Sequence, residues 1–136
     1  MAGAPVEALR PVPLFADLTG EELAQVAVLF KERHFAAGET VVKEGADGAA
    51  FFLIESGTAN VSVRGTERTS LGPGDYFGEI ALIDEDVRSA TIAATTDLVC
   101  YGLTLWEFRP LVVENGAIGW KLLRSLSRKL RSAELT

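Results

Sequence analysis

Residues 77–82, with the sequence FGEIAL, and residues 87–92, VRSATI, decide the fold and the function of this chain more than any other stretch. Gly78 allows a tight turn and leaves no side chain between the backbone and a bound group. The residues that follow it tolerate a helix, so a short helix begins here with unpaired amide groups at its start. Such a helix start attracts phosphate. The stretch therefore predicts a turn that binds an anion through its backbone.

Two side chains complete this predicted site. Arg88 lies nine positions beyond Glu79, which is far enough for the chain to leave the helix and begin a strand that returns the guanidinium to the same anion. The planar guanidinium suits phosphate oxygens. The carboxylate of Glu79 suits a neutral hydroxyl instead, such as a ribose 2′-OH, because it accepts hydrogen bonds. We therefore expect Arg88 to bind phosphate and Glu79 to bind a sugar.

This combination of glycines, acidic residue, spacing and Arg-small-Ala-hydroxyl run resembles the phosphate-binding cassette of the cyclic nucleotide-binding domain family. The resemblance covers residues 14–135. It implies that Glu79 holds the ribose 2′-OH, while the Arg88 side chain, Ser89 and the Ala81 amide hold the cyclic phosphate. The nucleotide-binding residues that it implies are Gly78, Glu79, Ile80, Ala81, Arg88, Ser89 and Ala90.

The same resemblance implies a base pocket and a lid. Val63 and Leu71 face the cassette in the family register and are candidate base contacts, with ordinary core packing as the alternative. In the family, a C-terminal helix closes over the base. The matching lid residues are Lys129, Leu130 and Ala133. Ser89 stands where a hydroxyl can reach the 2-amino group of a syn guanine, but serine there also occurs in adenine binders, so the expected ligand is cAMP or cGMP, with cAMP favoured.

The rest of the pattern predicts a mainly β fold with flanking helices, either a jelly-roll or a barrel. The family resemblance implies a jelly-roll-like β-roll (double-stranded β-helix). A capping box at residues 19–22 predicts one N-terminal helix over residues 19–32. From His34 to Leu103, short β-rich runs alternate with glycine turns, which is typical of rolls and barrels. The predicted strands include residues 40–42, 50–54, 59–63 and 90–93, and glycines between the runs include Gly38, Gly45 and Gly57.

Two further helices follow the β-rich part. A second capping box at residues 104–107 opens a helix that should end near residues 115–116, and a last helix should cover residues 117–133. Its apolar seam, spaced three, four and three, is Leu123, Leu126, Leu130 and Ala133. The cations around that seam are Lys121, Arg124, Arg128, Lys129 and Arg131. They predict either a solvated face or contact with an acidic surface, for which this same protein is one candidate.

Length and composition predict one domain over residues 1–136. The strand and helix pattern together with the resemblance divides it into a helix and β-roll (14–103) that contains the cassette (74–92), and C-terminal helices (104–135). A net charge of −6 and a pI near 4.8 argue against a surface for direct nucleic-acid binding. No run reaches the roughly 18 apolar residues of a membrane span. The N-terminus lacks the regions of a secretory signal, so a cytoplasmic location is expected.

Catalysis and metal binding are not expected. His34 and Cys100 are the single histidine and cysteine, so an internal disulfide, a cysteine cluster, a zinc knuckle and a metal site built of several histidines cannot form. Both lie in apolar runs, which favours core packing over a nucleophile and base pair. Trp106 and Trp120 lie on amphipathic stretches, and core packing is again the main expectation, with stacking on a purine as the alternative.

The sequence thus predicts a non-enzymatic sensor domain without a cofactor, whose ligand moves its C-terminal helix. That helix permits a homodimer or contact with an effector protein. Two features leave open a protein-interaction or structural module that kept the fold without useful nucleotide affinity. The run Asp84-Glu85-Asp86 places carboxylates near the anion site, and Val87 stands where many family members have proline.

Overall fold

The residues that the structure describes form eight strands in two four-stranded antiparallel sheets, flanked by helices on both sides. The computed structural model describes residues 3–46, 48, 50–84 and 87–134. Residue 134 is described by its backbone alone. One sheet has the order β1-β8-β3-β6, and the other has the order β2-β7-β4-β5. The strands are β1 (Lys31–Phe35), β2 (Thr40–Val42), β3 (Ala50–Ser56), β4 (Ala59–Val63), β5 (Thr66–Leu71), β6 (Tyr76–Phe77), β7 (Thr91–Ala94) and β8 (Leu98–Thr104).

Helices precede and follow these sheets, and a single 3₁₀ turn, here called the cassette helix, lies between β6 and β7. Another 3₁₀ turn spans Pro13–Phe15. The α-helices are α1 (Val6–Leu9), α2 (Gly20–Ala27), α3 (Leu105–Glu114) and α4 (Gly116–Glu134), and the cassette helix is Glu79–Leu82. The predicted β-roll with its cassette helix and two C-terminal helices is therefore confirmed.

Both predicted capping boxes are present. The Thr19 hydroxyl accepts a hydrogen bond from the Glu22 amide at 3.1 Å, and the Glu22 carboxylate accepts one from the Thr19 amide at 2.9 Å. Thr104 and Glu107 make the same reciprocal pair at the start of α3. Each box satisfies two amides that a helix start leaves unpaired, which is why both helix starts were predictable.

The end of the N-terminal helix was predicted wrongly. The helix α2 ends at Ala27 rather than near residue 32, and residues from Lys31 onward form β1. The reason is tertiary, because β1 pairs with β8 from Lys31 opposite Gly102 to Phe35 opposite Leu98. Most of β1 is exposed, so its sequence carries no strong strand alternation. A further one-turn helix, α1, precedes α2 and was not predicted.

The core has two parts that lie on opposite faces of β3. Phe51 and Leu53 belong to a cluster beneath the helices, whereas Phe52 and Ile54 belong to a cluster between the two sheets. This division follows the alternation of side chains along a strand. Burying each such side chain contributes roughly 1.5 to 3 kcal/mol, so β3 stabilises both the packing of the helices and the packing of the two sheets.

The strands also place the cassette. In β6, Phe77 pairs with Phe52 of β3, and the two rings stack with centroids 5.3 Å apart. This pairing delivers Gly78 and the cassette helix to the end of β3. On the other side, the Arg88 backbone forms two 2.8 Å hydrogen bonds, one donated to the Ala46 carbonyl and one accepted from the Gly45 amide. Both halves of the cassette are therefore fixed by backbone pairing.

Candidate functional site

Gly78 makes the turn that opens the cassette helix. Its φ of +81° lies in the left-handed region, which favours glycine. A Cβ at this position would also lie 2.6 Å from the Ala50 carbonyl oxygen and 2.5 Å from an Arg88 guanidinium nitrogen. The Ala81 amide, expected to face the phosphate, donates a 3.0 Å hydrogen bond to the Gly78 carbonyl. The turn therefore brings backbone close to Arg88, as the sequence predicts for a glycine here.

The Arg88 side chain lies in a slot between two glycines. A Cβ on Gly48 would overlap the Arg88 Nε, and Gly78 closes the other side. One terminal nitrogen donates a hydrogen bond to the Ala50 carbonyl, while Nε is buried without a hydrogen-bond partner in the described part of the chain. Burial lowers the pKa of this guanidinium. Because a buried polar group usually has a partner, the slot holds an arginine that is ready to bind an acceptor.

Two adjoining cavities share Gly78, Arg88 and Ser89 in their walls. The larger, of about 330 Å³, is mostly apolar and is the candidate base cavity. Its walls are Val42, Val61, Leu71, Tyr76, Phe77, Gly78, Arg88, Ser89, Ala90 and Ile92. The smaller, of about 290 Å³, is the candidate sugar and phosphate cavity, and its walls are Gly78, Glu79, Ile80, Ala81, Asp84, Val87, Arg88 and Ser89. The structure thus brings together all seven predicted nucleotide-binding residues.

The predicted base contacts are placed differently from each other. Leu71 lines the base cavity, and from the neighbouring strand the cavity is lined by Val61. Val63 lies two residues further along β4, half-buried at the strand end. The role of Val63 as a base contact stays a prediction. Sequence reasoning missed Val61, Tyr76 and the slot residue Gly48, although the alternation along β4 offers Val61 as readily as Val63.

Of the predicted lid residues, Lys129 reaches the cassette. Its ammonium donates a 3.0 Å hydrogen bond to Oε1 of Glu79. Leu130 is 63% exposed and Ala133 is also exposed. Of the predicted apolar seam, Leu123 and Leu130 are exposed, whereas Leu126 packs against the core beneath the helices. The buried apolar residues of this helix are Ile118 and Leu122.

The cations of α4 meet acidic residues of the N-terminal segment. Lys121 pairs with Glu22 at 2.6 Å, Arg128 pairs with Asp17 at 2.6 Å, and Arg124 lies 3.9 Å from Asp17. We call these contacts the anchoring ion pairs. The hydrogen bond from Arg128 lowers the pKa of Asp17, and the hydrogen bond from Lys121 lowers the pKa of Glu22. Of the two alternatives for these cations, contact with an acidic surface is found for Lys121, Arg124 and Arg128, within the protein itself.

Three core expectations were wrong and one was right. Trp106 and Trp120 are 58% and 64% exposed, and His34 is an exposed residue of β1 whose Nε2 lies 2.6 Å from Glu32. Cys100 is fully buried, and burial raises the pKa of its thiol to about 11. The exposed tryptophans lie on faces of α3 and α4 that the helix periodicity alone could not assign to core or solvent.

The acidic run is described in part. Asp84 is exposed and lines the sugar and phosphate cavity, whereas Glu85 and Asp86 lie outside the described residues. Among the residues that the structure describes, no group of three or more His, Cys, Asp or Glu side chains could hold a metal ion. None of the described helices has the length and hydropathy that a membrane crossing requires.

Comparison with known proteins agrees with this geometry. The family model described as "Cyclic nucleotide-binding domain" matches residues 32–115. Over 111 residues the chain is 42% identical to the cAMP-dependent protein kinase regulatory subunit of Emericella nidulans, which covers 79% of this chain and 27% of that protein. It is 38% identical over 133 residues to the cGMP-dependent protein kinase, isozyme 1, of Drosophila melanogaster, which covers 92% of this chain and 17% of that protein.

The fold also matches solved structures. The crystal structure of the N-terminal domain of a transcriptional regulator from Streptomyces coelicolor A3(2) superimposes with a TM-score of 0.85 and 27% identity, covering 93% of this chain and 92% of that one. This chain belongs to the cyclic nucleotide-binding domain family. It spans about a quarter or less of the length of the two kinase relatives that it matches.

Proposed function

We propose that residues 1–136 form a single regulatory domain that binds a cyclic nucleotide and signals through its C-terminal helix. The observation that carries the proposal is the Arg88 guanidinium, held between Gly48 and Gly78 at the wall shared by both cavities. A cyclic phosphate bound there would meet Arg88 and Ser89. The base would then enter the apolar cavity, and the ribose would lie beside Glu79. This arrangement binds a ligand, and the proposed role is regulation rather than catalysis.

We favour cAMP over cGMP as the ligand. One similar protein is named as a cAMP-dependent kinase regulatory subunit and another as a cGMP-dependent kinase, and the first has the higher identity. The base cavity is lined mainly by aliphatic and aromatic side chains, among them Val61, Leu71 and Phe77. Such walls accept either adenine or guanine. The preference between the two bases therefore depends on Ser89, the exposed hydroxyl at the boundary of the two cavities.

Thermal melts and calorimetry with cAMP, cGMP and non-cyclic 5′-AMP test the proposal. A ligand at about 100 times its dissociation constant adds roughly 2.7 kcal/mol to the free energy of unfolding. We expect this stabilisation with cAMP, a weaker effect with cGMP at equal concentration, and none with 5′-AMP. The absence of a shift with millimolar cAMP and cGMP would refute nucleotide sensing and favour an interaction module that retains only the fold.

The output of the domain is proposed to run through α4. Its anchoring ion pairs draw the cations toward the domain, so an apolar outer stripe of Trp120, Leu123 and Leu130 faces away from it. The spacing of these residues, three and seven, suits pairing with the same helix of a second copy. A ligand that favours one position of α4 would then shift this pairing.

Sedimentation equilibrium at micromolar concentration, with and without cAMP, tests this homodimer. We expect a dimer that Leu123→Glu converts to a monomer, because a carboxylate in an apolar seam loses its solvation. A monomer at every concentration for the wild-type chain would exclude the homodimer and direct the search to an effector protein.

A further inference from the structure

A further cavity lies where the N-terminal segment crosses the sheet β1-β8-β3-β6. Its volume is about 290 Å³, and none of its wall residues belongs to the base cavity or to the sugar and phosphate cavity. Leu53 and Tyr101, which pair across β3 and β8, form its wall on the sheet. The opposite wall comes from Pro5, Ala8 and Pro11. We call this space the N-terminal cavity.

The cavity exists because small and rigid residues of the N-terminal segment face the sheet. Backbone hydrogen bonds of 2.9 Å tie Gly3 and Ala4 to the end of α2 and the turn after it. Leu9 is fully buried in the core beneath the helices, whereas Ala8 offers only a methyl group to the cavity. The space that remains is about twice that of an engineered cavity of about 150 Å³ that holds benzene. A ring with a short chain therefore fits.

The charged groups at this cavity are acidic. Glu55 lies in its wall, and the register of β3 against β8 shifts between Ile54 and Ser56, so Glu55 is the extra residue of a β-bulge. Glu32 lies directly opposite Tyr101 in the pairing of β1 with β8, which places both side chains on one face. Burial raises the pKa of the Tyr101 phenol, and the charges of Glu55 and Glu32 raise it further. The phenol therefore stays protonated and polar at neutral pH.

The charge of Glu55 has no cation to offset it. Among the residues that the structure describes, no lysine, arginine or histidine forms an ion pair with this carboxylate. Arg10 at the end of α1 pairs with Glu7, and Lys31 of β1 pairs with Glu107, each at 2.8 Å. A cationic ligand would gain a charge-assisted hydrogen bond at Glu55, whereas an anionic ligand would be repelled. The apolar walls favour a ligand whose remaining part is apolar.

We propose that the N-terminal cavity binds a small organic ammonium ion, with its cationic head at Glu55 and an aromatic or branched aliphatic body between Ala8 and Leu53. The phenol oxygen of Tyr101 can accept a second hydrogen bond from the ammonium. This site is separate from the proposed nucleotide site, and its occupation does not require a cyclic nucleotide.

An NMR titration of the backbone amides with 2-phenylethylammonium at pH 7, where an alkylamine carries its charge, tests the site. The neutral 2-phenylethanol and the anionic 3-phenylpropionate present the same ring with a different head. We expect the ammonium ion to shift the amides of Ala8, Glu55 and Gly74, and to bind about fivefold or more tightly than the alcohol, as a hydrogen bond to a charged group implies. The carboxylate ligand should not bind.

Three results of this titration would overturn the proposal. Equal affinities for the ammonium ion and the alcohol would show that charge does not select the ligand. No shift at about 10 mM ammonium, a high concentration even for a ligand of this size, would show that the cavity is not a site. Shifts confined to the walls of the base cavity would assign the ligand to that cavity instead.

Variants of the two walls sharpen the test. Glu55→Gln keeps the size of the side chain but removes its charge, so the preference for the ammonium ion over the alcohol should disappear. The matched control is Glu67→Gln, which removes one carboxylate from β5 in the other sheet and should keep the wild-type preference. Ala8→Leu should fill the cavity and weaken both ligands by about tenfold or more, because it displaces their apolar body.

A melt without ligand shows whether each variant folds. If Glu55→Gln keeps the wild-type preference, the carboxylate does not bind the cationic head and the proposal is wrong. A folded Ala8→Leu variant with wild-type affinity would contradict it independently. Since none of these measurements includes a cyclic nucleotide, failure of the proposed nucleotide binding would leave their outcome unchanged.

Discussion

The cassette and α4 meet at one ion pair, but they are held in place by different kinds of interaction. The cassette is fixed by backbone, through hydrogen bonds at Arg88 and through two glycines whose missing Cβ atoms make room for its side chain. The helix α4 is held by one buried stripe and by ion pairs from exposed cations, such as Arg128 with Asp17. The cassette is fixed by sterics and backbone pairing, whereas α4 combines a buried apolar stripe with exposed ion pairs.

This difference bears on the proposed function, in which ligand binding and the movement of α4 occur in different parts of the molecule. Steric constraints do not depend on salt, so the cassette keeps its shape while the protein stays folded. Exposed ion pairs contribute little each and weaken as ionic strength rises. An element held in this way can change position without unfolding the rest. This difference is consistent with the proposed function, in which the cassette binds the ligand and α4 moves in response.

The largest expected effect comes from removing the cation of the cassette. Arg88→Ala should weaken cAMP binding by about 2 to 5 kcal/mol, because it deletes one partner of a buried charge pair with the phosphate. Calorimetry gives the affinity, and a melt without ligand shows that the fold persists. Arg68→Ala, on the exposed part of β5, is the matched control and should bind as the wild type does. If Arg88→Ala and Arg68→Ala bind cAMP with equal affinity, Arg88 does not belong to the binding site.

Filling the slot around Arg88 should have the next largest effect. Gly48→Ala places a methyl group where the guanidinium lies, so it should displace that side chain and weaken cAMP binding by roughly 1 to 3 kcal/mol, the usual cost of overpacking. Gly72→Ala is the control, since no atom lies within 4 Å of a Cβ built there. A Gly48→Ala variant that binds cAMP with wild-type affinity would show that the slot does not position Arg88.

The residues changed in these two variants, Arg88 and Gly48, also differ in how far the sequence alone indicates their place in the site. The placement of Glu79 and Arg88 in the wall of one cavity was predictable because the motif that contains them is contiguous and each has a distinct chemistry. Gly48 was not, because its importance depends on a side chain forty residues away that the fold brings beside it. The Lys129 contact with Glu79 was missed for the same reason, although Lys129 itself was predicted as a lid residue.

The same distinction between local contacts and contacts made only in the tertiary structure applies to the fold. The helix starts at Thr19 and Thr104 were predicted correctly because capping is a local reciprocal contact. The strand β1 was missed because its pairing with β8 supplies the stability that its own exposed sequence lacks. The packing face of α4 was not assigned from the sequence. Leucines recur on more than one face of that helix, so only the tertiary contacts distinguish the buried Leu122 from the exposed Leu123.

The smallest expected effect comes from breaking the ion pair between Asp17 and Arg128, which anchors α4. The resulting loss of stability depends on pH. The pKa of Asp17 is lowered in the folded protein by the hydrogen bond from Arg128. A depressed carboxyl pKa contributes stability above the unfolded value, about 3.9 for aspartate, and this stability is lost as the pH falls through the folded value. Asp17→Asn should therefore have a lower free energy of unfolding than the wild type at pH 7 and pH 5. This gap in unfolding free energy should close below about pH 4.

Urea unfolding at pH 7, 5 and 3 measures that gap, and the fluorescence of Trp106 and Trp120 reports on α3 and α4 directly. Because the pair is exposed, 1 M NaCl at pH 7 should also narrow the gap, through screening rather than protonation. Binding of cAMP should change far less than in Arg88→Ala, since Asp17 lines neither cavity of the site. A gap that is constant from pH 7 to pH 3 and insensitive to salt would mean that Asp17 acts through packing, and α4 would then be held by sterics as the cassette is.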